Sequence, residues 1–543
     1  MKKYITSLNI IFALEIAIVA LASTGLIPRE AILVWTGLAV FYLIFSPLKD
    51  GLWLIVASIP LFAALPISDN FDSMANWRIL IAVLFLCLFF KKGVSLNLIK
   101  GADGRWRVKE NLKHYALEYL SLVFLIISLI SFSVADYQIL AIKKFLYLVN
   151  IFLLFLIIRN LTRAKGDSRA NASLLPKGGS RSNASLPPKE TIIKIWQAAA
   201  VGGAAALFVA LVQLIAVLFA PLYSFWQFWA GRVIPAFYGE KLGHLLSYSN
   251  TWFAYYKVNP PTLRLFSVFP DSHSFAMFLI LTVPIFLGLA FFYQARQKKK
   301  IFFWLAAVLS LLSIVLSGSR GAWLSIAPTM AAAFYLWGQK KEQFLIKKAL
   351  ATFGLFIALF VLSVGYPPLF YKFQSWQTGQ SASTTFSFFE RVKSISDEEE
   401  TSNKGRLEIW RSSVKSIAER PLLGVGLGNY VKVLDENISA VKKGASAHNL
   451  YLDFASEIGV LGAVILIAIF LNILYTSWLV WRRSNEPHFK LYGLLFGLYF
   501  LWVAGYSFFD VVLLNDKVFL FFMVGAATLY SLRGIYEYSE KQK

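Results

Sequence analysis

Residues 273–293, HSFAMFLILTVPIFLGLAFFY, contain no Asp, Glu, Lys or Arg. A bilayer core asks for about 20 mostly apolar residues per helix, so this stretch reads as a membrane-crossing helix. The same pattern recurs along the chain. Fourteen candidate segments are expected, at approximately 4–22, 31–46, 51–67, 76–90, 116–135, 137–158, 193–220, 273–293, 300–317, 320–337, 346–366, 455–481, 488–509 and 515–532. The composition agrees: of 543 residues, 57% are hydrophobic and only 15% charged, against roughly 45–50% and about 25% in soluble domains. A soluble, disordered or nucleic-acid-coating protein is thereby excluded. The expected fold is an all-α polytopic membrane protein of 12–14 transmembrane helices, nominally 14, with one large extracytoplasmic loop containing short helices.

Charge gives the orientation. The net charge of +23 reads as cytoplasmic loop charge rather than as a polyanion-binding surface. With Lys2 and Lys3 placed in the cytoplasm and sides alternating, most Lys and Arg fall on the loops predicted inside, among them 91–115, 159–192 and 294–299. An even number of spans with both termini cytoplasmic follows, and the first segment reads as a span, not a cleaved leader. The organisation expected is 1–158 for N-terminal helices, 159–192 for a flexible cytoplasmic linker, 193–366 for central helices with an outer loop at 221–270, 367–447 for the large outer loop, and 448–543 for C-terminal helices. The linker contains the near-repeat NASLLPK (171–177) and NASLPPK (183–189). One cysteine, Cys87, sits in an apolar run, so no internal disulfide or cysteine metal cluster is expected.

Within the large loop, NKGRLEIWRSSVKSIAERP (403–421) places Leu407, Trp410, Val414 and Ile417 at helical spacing, and an amphipathic helix is expected to end before Pro421. LLGVGLGNY (422–430) reads as a glycine turn cluster. The aromatic-rich loop 221–270, with Trp226, Trp229, Tyr238, Tyr248, Trp252, Tyr255 and Tyr256, reads by default as an interfacial belt.

Charged groups not needed for topology carry the functional signal. They gather in RLFSVFPDSHSFA (264–276), SGSRGAW (317–323), GRLEIW (405–410) and SAHNLYLDFASEIGVLG (446–462). Arg320 stands in a tight turn whose Gly318 and Gly321 let a ligand approach the backbone. With Ser319, the next helix's amides and a forked guanidinium, the turn reads as an anion site; an interfacial cap is the plain alternative. Arg406 opens the loop helix, where a solvated charge paired with Glu408 or the acidic run 397–400 is the plain alternative. His448 precedes Asn449 where the chain re-enters the membrane, and a neutral imidazole there can accept a hydroxyl proton. Glu457 is its expected orienting partner, or a helix-start acid. Arg264 and Asp271 read as an interfacial ion pair, and His273 as a helix-start polar residue. No metal-ligand spacing and no phosphate loop is present, so no metal and no cofactor is expected.

SGSRGAW, then a large loop holding GRLEIW and PLLGVGLGNY, then AHNLYLDFASEIGVLG, resembles the O-antigen ligase and polymerase superfamily of bacterial envelopes, over roughly residues 260–470. The resemblance implies an enzyme of the bacterial cytoplasmic (inner) membrane that transfers a glycan from an undecaprenyl-pyrophosphate carrier to a glycan, lipid or protein acceptor on the extracytoplasmic face, inverting and without metal. It implies catalytic roles for His448, Arg320 and Arg406, and a substrate-binding role for Arg264, joined in the expected site by Gly318, Ser319, Gly321, Asn449 and Glu457. Membrane lipids are expected partners and nucleic acid is not. A polymerase of the same superfamily is the nearest alternative, and a transporter, with Lys143 and Lys144 inside a span, is the alternative from another class. Their plain reading is snorkelling to the interface or contact with lipid phosphate.

Overall fold

The structure is a computed structural model that describes residues 6–68, 72, 74–94, 115–163, 188–247, 251–254, 261–339, 342–379, 401–434 and 446–542. The linker's near-repeat as far as residue 187, the basic run after residue 94, His114, the acidic run 397–400 and Tyr248, Tyr255 and Tyr256 lie outside the described residues.

The chain is nearly all helix. In order come α1 (Ser7–Thr24), α2 (Ala31–Phe45), α3 (Leu48–Ala57), α4 (Trp77–Lys92), α5 (Ala116–Ile130), α6 (Gln138–Leu161) and α7 (Pro188–Phe219), then α8 (Ser272–Phe292), α9 (Gln297–Leu316), α10 (Arg320–Leu324), α11 (Ile326–Gly338), α12 (Gln343–Leu362), α13 (Tyr366–Thr378), α14 (Thr401–Glu419), α15 (Leu450–Arg483), α16 (Pro487–Tyr506) and α17 (Asp516–Gln542). Between α7 and α8 lie short helices over 222–247 and a two-residue hairpin, Phe253–Ala254 against Thr262–Leu263.

Ten helices among the described residues are long and apolar enough to span a membrane, not fourteen. Four expected spans fall short for local reasons. α2 and α4 have 15 and 16 residues, or about 22–24 Å at 1.5 Å per residue, less than a hydrocarbon core of about 30 Å. α3 stops at Ala57 and the chain passes through the 3-10 turn Ile59–Leu61, which contains Pro60. The 320–337 segment is broken at Ser325, whose hydroxyl donates back to the Gly321 carbonyl. Many apolar helices make this a multi-pass membrane protein.

α8 is the centre: 89% of its apolar window is buried inside the protein. It packs on α9, α16, α7 and α17. An all-round apolar helix is what such a position requires, and Asp271 caps its start by accepting from Ser274 N–H at 2.7 Å. The aromatics expected as a belt are partly core instead. Trp252 is fully buried, stacks on Phe266 at 4.7 Å and donates to the Pro270 carbonyl, while Tyr238 donates to the Val268 carbonyl at 3.0 Å.

The loop helix α14 forms as expected, but its buried stripe differs. Gly405, Ile409 and Ser413 face inward at i, i+4, i+8, with Ser413 against the Tyr430 hydroxyl at 2.6 Å. Leu407 and Val414 face outward, 41% and 56% exposed.

Candidate active site

α16 is the post on which the site is built. Its Trp502 indole donates to the Ala322 carbonyl at 2.7 Å and holds the SGSRG turn. The residue after its end, Ser507, accepts from Leu450 N–H at 2.8 Å, and Tyr451 donates to the Ala504 carbonyl at 2.9 Å, which brings the start of α15 alongside. Asn449 is buried and caps α15, accepting from Tyr451 and Leu452 N–H. Gly318 has φ +63°, and a Cβ on Gly321 would sit 2.9 Å from Phe509 and the Tyr506 ring. These two glycines therefore let the turn lie directly on the 506–510 segment.

Asp510, in the short connection after α16, lies between two histidines. Its Oδ2 is 3.3 Å from His273 Nδ1 and its Oδ1 is 3.7 Å from His448 Nδ1. Arg264 is 8% exposed; its Nε donates to the Ser317 carbonyl at 2.8 Å and its Nη2 to His273 Nε2 at 3.1 Å. A guanidinium can only donate. His273 Nε2 must therefore accept, and the ring proton sits on Nδ1, facing Asp510, the Tyr506 hydroxyl at 3.0 Å and the Ser319 hydroxyl at 3.3 Å. Ser319 and Tyr506 hydrogen-bond to each other.

His448 is placed differently. It holds a φ of +47°, a region that costs a non-glycine residue roughly 1–3 kcal/mol and persists where the surroundings enforce it. Its Nδ1 is buried without a hydrogen-bond partner within 3.5 Å, so the Asp510 carboxylate is the acidic group it faces. The side chain as a whole is one-third exposed.

Burial would raise the Asp510 carboxyl, but His448, His273 and the Arg406 charge outweigh burial and hold it well below the ordinary carboxylate range. Arg406 thus acts on the same carboxylate from the loop helix. Burial pushes Asp271 up to about 6, with the Ser274 hydrogen bonds acting in the opposite direction.

Of the expected site residues, His448 and Arg406 act on Asp510, while Arg264 and Ser319 reach it through His273. Gly318 and Gly321 shape the turn, and Arg320 follows Ser319 at its exit, half-buried. The helix that Arg320 opens has only five residues, too short for the anion-binding dipole expected of it. Asn449 serves as a cap. Glu457 is not with His448: it is buried and paired with Lys144 Nζ at 2.6 Å. Lys144 therefore neither snorkels nor meets lipid phosphate, whereas Lys143 is exposed. Asp271 caps α8 instead of pairing directly with Arg264. Asp510 and Tyr506 were not expected. The available signal was an acid in the apolar run YSFFDVV (506–512), in the connection between the last two spans. Among the described residues, no group of three or more His, Cys, Asp or Glu is placed to hold a metal.

Residues 305–467 match the family model described as O-antigen ligase. The resemblance to the O-antigen ligase superfamily holds. The match begins within α9 and ends within α15, so it takes in the SGSRG turn, Arg406 and His448. An uncharacterized protein of Haemophilus influenzae is 24% identical over 200 residues, 36% of this chain and 47% of the relative. The chain thus spans about half the length of the curated relative it matches. Arg264, His273 and Asp510 fall outside the family-matched stretch and are joined to it only by folding.

Proposed function

We propose that this chain is a glycosyltransferase of the O-antigen ligase type, moving a glycan from an undecaprenyl-pyrophosphate carrier to an acceptor hydroxyl. The observation that carries the reading is Asp510 between His448 and His273, with Arg406 acting on it and Arg264 bound to His273, at one end of an apolar helix bundle. On this reading that end is the extracytoplasmic one, where a lipid-linked glycan would be used.

His448 takes the acceptor proton. With Nδ1 turned to Asp510, Nε2 is the nitrogen left to act as base, and the carboxylate stabilises the imidazolium that forms. The 3.7 Å separation is loose, as unliganded sites often are. The acceptor oxygen attacks the anomeric carbon from the side opposite the pyrophosphate, inverting the configuration. Arg406 and Arg320 stabilise charge developing on the departing diphosphate. Arg264, committed to Ser317 and His273, holds the His273–Asp510 arrangement and adds positive potential.

An apolar groove supports a lipid donor. It is lined almost wholly by apolar side chains, and it runs from Leu450 and Leu513, beside the site, down to Phe155 and Ile473. It suits a polyprenyl chain whose diphosphate lies at the histidines.

The test is transfer by the purified chain in liposomes containing a lipid-pyrophosphate-linked glycan. Wild type is expected to form glycosylated acceptor, and His448→Ala and Arg320→Ala to lose transfer while inserting normally. Near-normal transfer by both variants overturns the mechanism. A ladder of product lengths with repeat-unit donor assigns a polymerase; one product class assigns a ligase. Solute uptake without any lipid-linked donor favours a transporter.

A further inference from the structure

A cluster of buried charges at the start of α15 is not used by the mechanism above. Lys144 on α6 reaches Asp453 Oδ2 at 3.5 Å and Glu457 Oε2 at 2.6 Å, and both carboxylates are at most 4% exposed. The other oxygen of Asp453 accepts from Ala447 N–H at 3.0 Å. The carbonyl of Ala447 accepts from the Trp410 indole at 3.0 Å. Ala447 immediately precedes His448, and Trp410 lies one turn beyond Arg406 on α14. The two peptide groups of Ala447 are therefore clamped between α6, through Asp453, and the helix that carries Arg406.

Further contacts tie Glu457 and the backbone beside it to the glycine turn. α15 breaks at Ile458–Gly459, and the 421–425 turn inserts there: Val425 N–H donates to the Ser456 carbonyl at 2.9 Å and Val460 N–H to the Pro421 carbonyl at 2.8 Å. Gly428 N–H reaches Glu457. His448 is held in an unfavourable backbone conformation, so something must enforce it, and the Asp453 contact is the nearest anchor to that turn from the membrane side.

We propose that Lys144 is a positioning residue: through Asp453 it fixes the Ala447 peptide, and so sets His448 against Asp510 in register with Arg406. Lys144 touches no substrate in this arrangement. The inference rests on the proposed transfer reaction for its kinetic consequence but not for its structural one.

The test pairs two readouts on the full chain in nanodiscs. The first is histidine side-chain NMR, with the His448 resonance identified by its loss in His448→Gln. Lys144→Met is expected to shift or broaden that resonance, Lys143→Met to leave it unchanged, and Lys144→Arg to restore it in part. The second is transfer kinetics. Lys144→Met is expected to lower kcat about 10- to 100-fold, the order of loss that about 1 Å of misplacement causes, with donor KM changed less than about twofold. Because Lys144→Met leaves two carboxylates without their cation, which is costly when buried, Lys144→Met/Glu457→Gln is measured alongside and is expected to give the same kinetic pattern with better folding. An unmoved His448 resonance in both variants, or a loss confined to protein yield or to KM, overturns the proposal. Absence of transfer by wild type with a shifted His448 resonance in Lys144→Met overturns the proposed function and leaves the positioning inference standing.

Discussion

His448 Nδ1 faces Asp510 Oδ1 at 3.7 Å, joining the residues just before α15 to the connection between the last two helices. The other Asp510 oxygen faces His273 at 3.3 Å. A carboxylate shared in this way can orient one imidazole as a base while the second, held neutral by its Arg264 contact, keeps the carboxylate in place.

Replacing Asp510 by Asn keeps the shape and removes the charge. Transfer is expected to fall about 100- to 10,000-fold, the range that a positioned proton-transfer group contributes, with donor KM little altered. Steady-state transfer kinetics check it, and a loss seen only in KM would contradict the role assigned to His448 and Asp510.

Two carboxyls give opposite pH signatures. Asp510 is held below its unfolded value, so it adds stability that is present above about pH 4 and lost as pH falls through its lower folded value. Asp271 is raised to about 6, so its contribution is present below about pH 4 and lost as pH rises through 6. Asn also caps helices well. Asp271→Asn is therefore expected to gain on wild type as pH rises from 4 to 7, and Asp510→Asn to lose on it at neutral pH relative to pH 2. Melting temperatures in nanodiscs across that range provide the check; parallel curves would refute both signs.

Arg264→Lys should not substitute for arginine. A lysine cannot reproduce the fork that serves Ser317 and His273 together. Leaving the buried Ser317 carbonyl or the His273 nitrogen unsatisfied costs about 1–3 kcal/mol. A lowered melting temperature, together with weaker transfer, is expected, and equal stability of Lys and Arg forms would argue against this geometry.

Gly459→Ala tests the docked turn. Gly459 has φ +78°, and an added Cβ would collide with the Leu422 carbonyl oxygen. Loss of roughly 1–3 kcal/mol or more is expected from the backbone conformation alone. At Gly354, where nothing lies within 4 Å of an added Cβ, Ala should be tolerated. Thermal stability of the two purified variants decides it.

The membrane class, the loop helix, the glycine turn and the motifs that hold Arg264, Arg320, Arg406 and His448 are legible in the order of residues alone. These are local properties: hydropathy sums over consecutive residues, and helix caps and turns act within a few positions. A sum of apolar residues likewise does not register that Pro60 or Ser325 divides them between two elements. Three-dimensional packing was needed to see that Glu457 pairs with Lys144 rather than His448, that Trp252 is core, and that Asp510 is the carboxylate the two histidines share. Each of those partners lies on another helix, and which helices become neighbours is set by packing over the whole bundle, a long-range outcome that no window along the chain contains.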